Sequence, residues 1–340
     1  MVKIIAEAGV NHNGNFDYAM KLIEVAADAK ANFIKFQTFS AENLVSKSAK
    51  KAFYQTKNLK NSDSDFQYEM LKKLEMPYDW YPKLIDYCKK FKIGFLSTPF
   101  DCEGVDFLDS LEIPLFKVSS GDLTNKMLLK HLKTKNKPII LSTGMSYLEE
   151  IKSSVDIILN DGYKKTNLTI LHCNTEYPTP YEDVNLNAML DIRDKLDIDV
   201  GYSDHTLGIE VPIAAVALGA KVIEKHITID KTLNGPDHSA SIEPYELKAM
   251  VKSIRNIEKS ISGDGHKKPS KSEIKNLNIA RKSIHINKHL KKDHKISVND
   301  IIMKRPGDGI SPMDYEMVIG KKTNRYLEKD SKLKWDFLKK

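Results

Sequence analysis

The sequence predicts an α/β fold: a (β/α)₈ TIM barrel over residues 1–262, a linker over 263–282, and a small β-rich domain over 283–340. Three observations carry this. Up to about residue 262, short β-branched runs alternate with longer amphipathic ones, the pattern of a parallel sheet with crossover helices. The strand-like runs number eight, which favours a closed barrel over an open doubly wound sheet. Then SGDGHKKPSKSE, rich in Gly, Pro, Ser and Lys, breaks the pattern, and the remainder of the chain has short strand-like pieces and turn signals but no long helical period.

Taken in order, the expected strands are Lys3–Ala8, Phe33–Thr38, Gly94–Pro99, Leu115–Ser120, Pro138–Thr143, Leu168–Asn174, Asp199–Asp204 and Lys221–Thr228. Between and after them, Tyr18–Ala29, Tyr78–Lys90, Tyr147–Asn160, Ile209–Leu218 and Leu247–Ile261 repeat apolar residues at spacings of three and four, as helices do. The segment from Ala41 to about Leu74 is long for a connection in such a fold and reads as a functional loop or lid. The terminal domain, about 60 residues, has room for only a modest core and is expected to gain stability by docking onto a partner.

Composition narrows the function classes. The chain has 340 residues, 41% hydrophobic and 29% charged, ordinary for a soluble globular protein. Its three cysteines, Cys88, Cys102 and Cys173, show no CxxC spacing, which argues against a disulfide framework and a zinc knuckle. The opening MVKIIAEAG runs straight into a strand, and no apolar run approaches ~20 residues, so a cytoplasmic protein without a membrane span is expected. The net charge of +7 suits small anions as well as nucleic acid. With no recognised nucleic-acid motif, the basic surplus reads as a solvated surface and no nucleic-acid partner is expected.

In a barrel of this type the active site is assembled at the C-terminal ends of the strands, and here each expected strand turns polar at that end. In order they offer Glu7; Lys35 and Gln37; Ser97 and Thr98; Lys117, Ser119, Ser120 and Asp122; Ser142 and Thr143; His172, Asn174 and Thr175, with Tyr177 following; Ser203, Asp204 and His205; Glu224 and His226. Lysines in a barrel interior can be structural partners of acids, but unpaired charge is disfavoured there. Lys35 and Lys117, among hydroxyls and Gly-flanked turns, suit a phosphate and a carboxylate. His205 and His226 end adjacent strands and can converge on one divalent ion, leaving positions for water and substrate. The simpler alternative is two histidines bonded to acids such as Asp204 and Glu224. His238, beyond the Gly235-Pro236 turn, is a weaker third ligand.

The motifs IIAEAGVNHNG, IKFQTF, LSTPFD, KVSSGDLTN, ILSTGM, LHCNTEYPTPYEDVNL, GYSDHTLG, VIEKHIT, GPDHSASIEP and KRPGDGISP resemble the bacterial N-acetylneuraminate (sialic acid) synthase family, which includes legionaminic acid synthases. The resemblance runs through nearly the whole chain. It implies that the terminal domain is an antifreeze-protein-like (SAF) domain, and that the protein is a domain-swapped homodimer in which that domain caps the partner's active site. It implies condensation of phosphoenolpyruvate with an N-acylated amino sugar, with C–O bond cleavage and release of phosphate. By the same resemblance, Lys35, Thr98, Lys117, Ser120, Ser142, Asn174 and Ser203 hold phosphoenolpyruvate, and Glu7, Gln37, Tyr177, Asp237 and Arg305 hold the sugar. His205 and His226 hold the metal, Mn²⁺ with Mg²⁺ or Co²⁺ as alternatives, and Glu224, Asp122 and Lys117 carry the chemistry.

Two departures from the family pattern stand out. Gly121-Asp122 replaces a Gly-Glu, shortening a carboxylate by one methylene, and Asn174-Thr175 reverses a Thr-Asn pair, which leaves open which of the two faces the ligands. The expected acceptor is N-acetylmannosamine. The alternative is 2,4-diacetamido-2,4,6-trideoxymannose, giving N,N'-diacetyllegionaminate, and a non-catalytic sugar- or phosphate-binding protein is a distant third reading.

Overall fold

The structure, a computed structural model, describes residues 1–59 and 65–339. It divides into two compact units, Met1–Ser262 and Gly263–Lys340. The first is an eight-stranded parallel sheet of β1 (Lys3–Gly9), β2 (Phe33–Thr38), β3 (Gly94–Pro99), β4 (Phe116–Val118), β5 (Ile139–Ser142), β6 (Leu168–Cys173), β7 (Asp199–Asp204) and β8 (Val222–His226). The ladder runs β3-β2-β1-β8-β7-β6-β5-β4, and β3 packs beside β4 to close the ring. The TIM-like barrel is thus formed from the strands expected, several of them trimmed by a residue or two at the ends.

Around it run α1 (Phe16–Asp28), α2 (Ala41–Leu44), α3 (Phe53–Asn58), α4 (Gln67–Leu74), α5 (Trp80–Phe91), α6 (Cys102–Ser110), α7 (Lys126–Thr134), α8 (Leu148–Leu159), α9 (Asn187–Leu196), α10 (Glu210–Ala217) and α11 (Pro244–Ser260). The segment read as one irregular loop after β2 therefore carries α2, α3 and α4, and its residues 60–64 lie outside the described ones. Their helical periods are too short to register: α2 is 4 residues long and α3 is 6.

Two apolar layers hold the barrel. The larger lies between sheet and helices and includes Ile4, Ala6, Ile34, Phe36, Val118, Leu141, Ile170, Tyr202 and Ile223. The smaller, of Ile5, Phe33, Leu96, Leu115, Ile140, Leu171 and Val222, fills the inside. These two sets alternate along each strand, because successive side chains point to opposite faces. The inner set forms the floor on which the site stands.

The second unit pairs β9 (Ser283–Ile286) antiparallel with β10 (Ile301–Lys304) and adds single bridges such as Leu290 with Leu327 and Thr323 with Leu338. Ile284, Ile286, Leu290, Ile296, Ile310, Val318, Leu327 and Leu333 make its core. Its opening stretch, read as a plain linker, contains two single-turn helices, α12 (Lys271–Ile274) and α13 (Leu277–Ala280). A further turn, α14 (Tyr315–Val318), comes after β10. Among the described residues no helix is long and apolar enough to cross a membrane.

Candidate active site

Two residues past each floor position, on the same inward face, the side chains become polar: Glu7, Lys35, Thr98, Lys117, Ser142, Cys173, Ser203 and Glu224. Two residues further still come Gln37, Phe100, Ser119, Thr175, His205 and His226. Together they line a cavity of about 460 Å³ at the C-terminal end of the barrel, a size suited to small ligands. The period of two that builds a strand thus builds the site.

Glycines make room for it. Gly9 sits at φ +51°, where β1 slips register against β2, and a Cβ there would come within 3.3 Å of Glu7 Oε1 and of His226 Cε1. At Gly144 a Cβ would stand 2.5 Å from Thr175 Cγ2, and the Gly144 N–H donates to Ser120 Oγ at 3.0 Å. Larger residues at either position would intrude on the cavity wall.

One end of the cavity gathers two lysines and two glutamates. Lys117 Nζ donates to Ser142 Oγ (2.6 Å) and to the Val118 carbonyl (3.1 Å), and lies 3.6 Å from Glu224 Oε1. Lys35 Nζ donates to Thr98 Oγ1 at 2.9 Å, pairs with Glu7 Oε2 at 2.7 Å and lies 3.6 Å from Glu224 Oε2. Ser203 Oγ donates to Glu224 Oε1 at 3.0 Å. All four charged groups are at most 4% exposed. Burial pushes both carboxyls up, but Lys117, Lys35, His226 and Ser203 outweigh it at Glu224 and hold it well below the usual range. Glu7 stays raised, because burial and the Glu224 charge exceed what Lys35 returns. Burial and Lys35 lower Lys117, whereas Glu224 and Glu7 outweigh burial at Lys35 and raise it. The two carboxyls are thereby split in proton affinity, as paired acids with distinct tasks are.

The other end is aromatic. The rings of His205 and His226 lie 5.4 Å apart. Tyr177 lies on His205 at 4.0 Å and meets His226 edge-on at 5.5 Å. Tyr54, from α3, stacks on Tyr177 at 4.8 Å. Burial lowers His205 to about 4, and burial together with His205 and Lys35 holds His226 well below the usual imidazole range. Asp237, raised to about 7 by burial, has Oδ2 3.8 Å from His226 Nδ1.

A divalent ion fits this pair. Both imidazoles are neutral, His205 Nδ1 is oriented by the Asn174 carbonyl, and the buried His226 Nδ1 has no hydrogen-bond partner among the described residues. Among those residues no three His, Cys, Asp or Glu side chains gather to enclose an ion, so a two-histidine set would keep positions open. Asp204 offers no competing partner to either ring, since it faces the helices and pairs with Lys225, both fully buried. His238 is turned away as well, its Nδ1 2.7 Å from Thr228 Oγ1.

Several expected site residues fall elsewhere. Asn174 points out of the cavity: its Oδ1 accepts from Glu176 N at 2.7 Å, while Thr175, of the inward parity, lines the wall. Asp122 is also off the wall, accepting from Ser119 Oγ (2.7 Å) and Asn125 Nδ2 (3.2 Å), so it can act only through Ser119. Ser97, Thr143 and His172 face the helices or a neighbouring loop, with His172 Nε2 bonded to the Val184 carbonyl. Arg305 is exposed in the second unit, before a cis Pro306. Ser119 and Thr175, offered by their strand ends but given no ligand, both line the wall, whereas sequence reasoning missed Phe100 and, above all, Phe53 and Tyr54. Parity along β3 would have found Phe100. For Phe53 and Tyr54, in the segment read as a lid, the sequence held no signal.

Fold and cavity together define a (β/α)₈ barrel whose mouth joins a lysine- and hydroxyl-lined anion end to a histidine and aromatic end. The NeuB family matches residues 22–267 and the SAF domain matches residues 281–339. The chain belongs to the NeuB family. It is 52% identical over 327 residues to the N,N'-diacetyllegionaminic acid synthase of Campylobacter jejuni, covering 96% of this chain and 97% of that one. It is 43% identical to the synthase of the same name from Legionella pneumophila, covering 98% and 94%. A crystal structure of an N-acetylneuraminic acid synthetase from Leptospira borgpetersenii in complex with citrate superposes with TM-score 0.71 at 36% identity, covering 81% of this chain and 90% of that one.

Proposed function

We propose that this protein is a sugar-acid synthase that condenses phosphoenolpyruvate with 2,4-diacetamido-2,4,6-trideoxymannose, forming N,N'-diacetyllegionaminate and phosphate. The observation that carries the reaction class is one cavity in which Lys35, Lys117, Ser120 and Ser142 meet His205 and His226. The sequence reading put N-acetylmannosamine first. The order is reversed here because the relatives at 52% and 43% identity are both named for the diacetylated product.

In this reading Lys117 and Lys35 hold the phosphate and carboxylate of phosphoenolpyruvate, assisted by the hydroxyls of Thr98, Ser120, Ser142 and Ser203. Glu224, held charged, fixes both lysines and Ser203 in place. Glu7, Gln37, Tyr177 and Asp237 bind the open-chain sugar, with Arg305 reaching it from a partner subunit. His205 and His226 would hold a divalent ion, Mn²⁺ by the family resemblance, which would supply Lewis-acid polarisation of the sugar's aldehyde oxygen. The enol carbon attacks that aldehyde carbon, and water adds to C2. Phosphate then leaves by C–O cleavage, its charge met by the lysines. The new alkoxide takes a proton from Glu7, the carboxyl that burial biases toward the protonated form; the proton shed when water adds to C2 restores that carboxyl, and the C2 hydroxyl proton leaves with phosphate. Exposed apolar residues at the barrel mouth, among them Met145, Tyr147 and Leu207, favour a covering partner, in keeping with a domain-swapped homodimer.

The test is phosphate release by purified protein with Mn²⁺, phosphoenolpyruvate and each acceptor in parallel. Release with the diacetamido sugar, abolished by His205→Ala together with loss of Mn²⁺ binding by calorimetry, is the expected result. No release with either acceptor defeats the reading, and preference for N-acetylmannosamine restores the first ordering.

A further inference from the structure

We propose that helix α3 is the acceptor-selecting wall of the cavity, with Tyr54 and Phe53 favouring a 6-deoxy, doubly N-acetylated sugar over one bearing hydroxyls at the same carbons. The inference rests on the reaction class proposed above. It starts from a column of rings: Tyr54 stacks on Tyr177 with 26° between planes, and Tyr177 lies at 31° on His205. Tyr54 is thus tied through one ring to a histidine at the reacting end. The helix that carries it is pinned from two sides, because Asn58 Nδ2 donates both to the Tyr177 carbonyl (3.2 Å) and to the Pro236 carbonyl (2.9 Å). At its N-terminus, Gln55 Oε1 accepts from Ala52 N at 2.9 Å and from Gln67 Nε2 at 3.0 Å. The wall is therefore placed by the loops after β6 and β8, the strands that lead to Tyr177 and carry His226.

Charge divides the cavity in the same sense. Both lysines stand at the anion end, bonded to the hydroxyls of Thr98 and Ser142. Around α3 the lining is Phe53, Tyr54 and Tyr177, with the carboxyl of Glu176 close enough to act on Tyr54. That mixture suits a neutral sugar carrying amides: the acid accepts an amide N–H, and the rings cover methyl groups. Phe53 is 81% exposed although it lines the cavity, so its apolar surface is available to a ligand. A C6 methyl and a C4 acetamido methyl would bury apolar surface against those rings, a gain that hydroxyls at the same carbons would not make. Apolar walls discriminate modestly, by roughly 10- to 100-fold between such analogues.

The experiment measures kcat and KM for both acceptors and for phosphoenolpyruvate in the full chain with Mn²⁺, using Tyr54→Ala, Tyr54→Phe and Phe53→Ser. For Tyr54→Ala the preference for 2,4-diacetamido-2,4,6-trideoxymannose over N-acetylmannosamine should fall roughly 10-fold through KM, with KM for phosphoenolpyruvate unmoved. Tyr54→Phe should restore the preference, and Phe53→Ser, a change at an exposed side chain that leaves folding intact, should lower it in the same direction. If both acceptors lose equally, or KM for phosphoenolpyruvate rises with them, Tyr54 merely supports Tyr177 and the wall is overturned. An unmoved ratio in Phe53→Ser and Tyr54→Ala overturns it too. A wild-type chain that turns over neither acceptor instead overturns the reaction class, and the wall with it.

Discussion

Lys117 has left water for two acceptors, Ser142 Oγ and its neighbour's carbonyl, with Glu224 as a nearby but imperfect counter-charge. Burial lowers its pKa, so an arriving anion would complete its charge pairing. Lys117→Ala is expected to raise KM for phosphoenolpyruvate about 10- to 100-fold, the loss of one or two charge-assisted hydrogen bonds, with a smaller effect on KM for the sugar. Steady-state kinetics with each substrate varied in turn checks this. The Asn174-Thr175 pair supplies a sharper contrast. The Asn174 side chain caps its own turn, so Asn174→Ala should lower stability by about 1 kcal/mol, seen as a melting temperature a few degrees lower, and leave KM for phosphoenolpyruvate nearly unchanged. Thr175→Ala, on the cavity wall, should move KM instead. A reading that gives both residues the same role predicts the same response from each.

Strand β7 leads directly into His205 and β8 ends in His226, and what fixes the two strands to each other lies on their far side. Asp204 and Lys225 are register partners, and Lys225 Nζ pairs with Asp204 and donates to the Thr206 carbonyl. Thr206 N and Oγ1 both donate to Asp204 Oδ1, at 3.1 and 2.9 Å. This cluster sits between Ser203 and His205 on one strand and Glu224 and His226 on the other. Removing one partner would leave an uncompensated buried charge. Lys225→Met is therefore expected to cost about 3–5 kcal/mol in denaturant unfolding, and the double change Asp204→Asn, Lys225→Met to recover a large part of it. Additive losses would mean that the two charges act independently. Sequence reading placed Asp204 with the polar strand ends but could not tell which face it served. The composition of that stretch, Ser203-Asp204-His205, is polar on both faces, so only the layer packed behind it reveals the outward one.

At the scale of the molecule, the two units have separate cores and separate sensitivities. In the second unit Asp300 is 1% exposed and accepts from Ser297 N (2.8 Å), Ser297 Oγ (2.7 Å) and His294 Nε2 (2.9 Å), and Lys288 Nζ lies 2.8 Å away. Burial pushes its carboxyl up, but Lys288, His294 and Ser297 outweigh this and hold it well below the usual range. A carboxyl depressed on folding stabilises above its unfolded pKa, near 3.9, and that stabilisation is lost as pH falls through the folded value. The second unit should therefore weaken below about pH 4, and Asp300→Asn should flatten that acid limb while lowering stability at neutral pH. Unfolding followed from pH 2 to 7 through Trp335, in that unit, checks both; an unaltered acid limb in the variant would place the sensitivity elsewhere.

The sequence by itself determined the barrel, because eight β-branched runs separated by amphipathic ones leave few ways to bury their apolar faces. It determined most of the cavity as well: Glu7, Lys35, Lys117, Ser142, Ser203, Glu224, His205 and His226 all project inward at even spacing from an apolar floor, and that spacing is written in the chain. Only the tertiary structure decided the rest. Whether Asn174 or Thr175 faces inward, and that Asp122 serves Ser119 rather than the cavity, depends on turns whose geometry is set by hydrogen bonds to neighbouring loops. That Tyr54 stands over Tyr177 depends on carbonyls more than a hundred residues away in sequence, which no local pattern encodes.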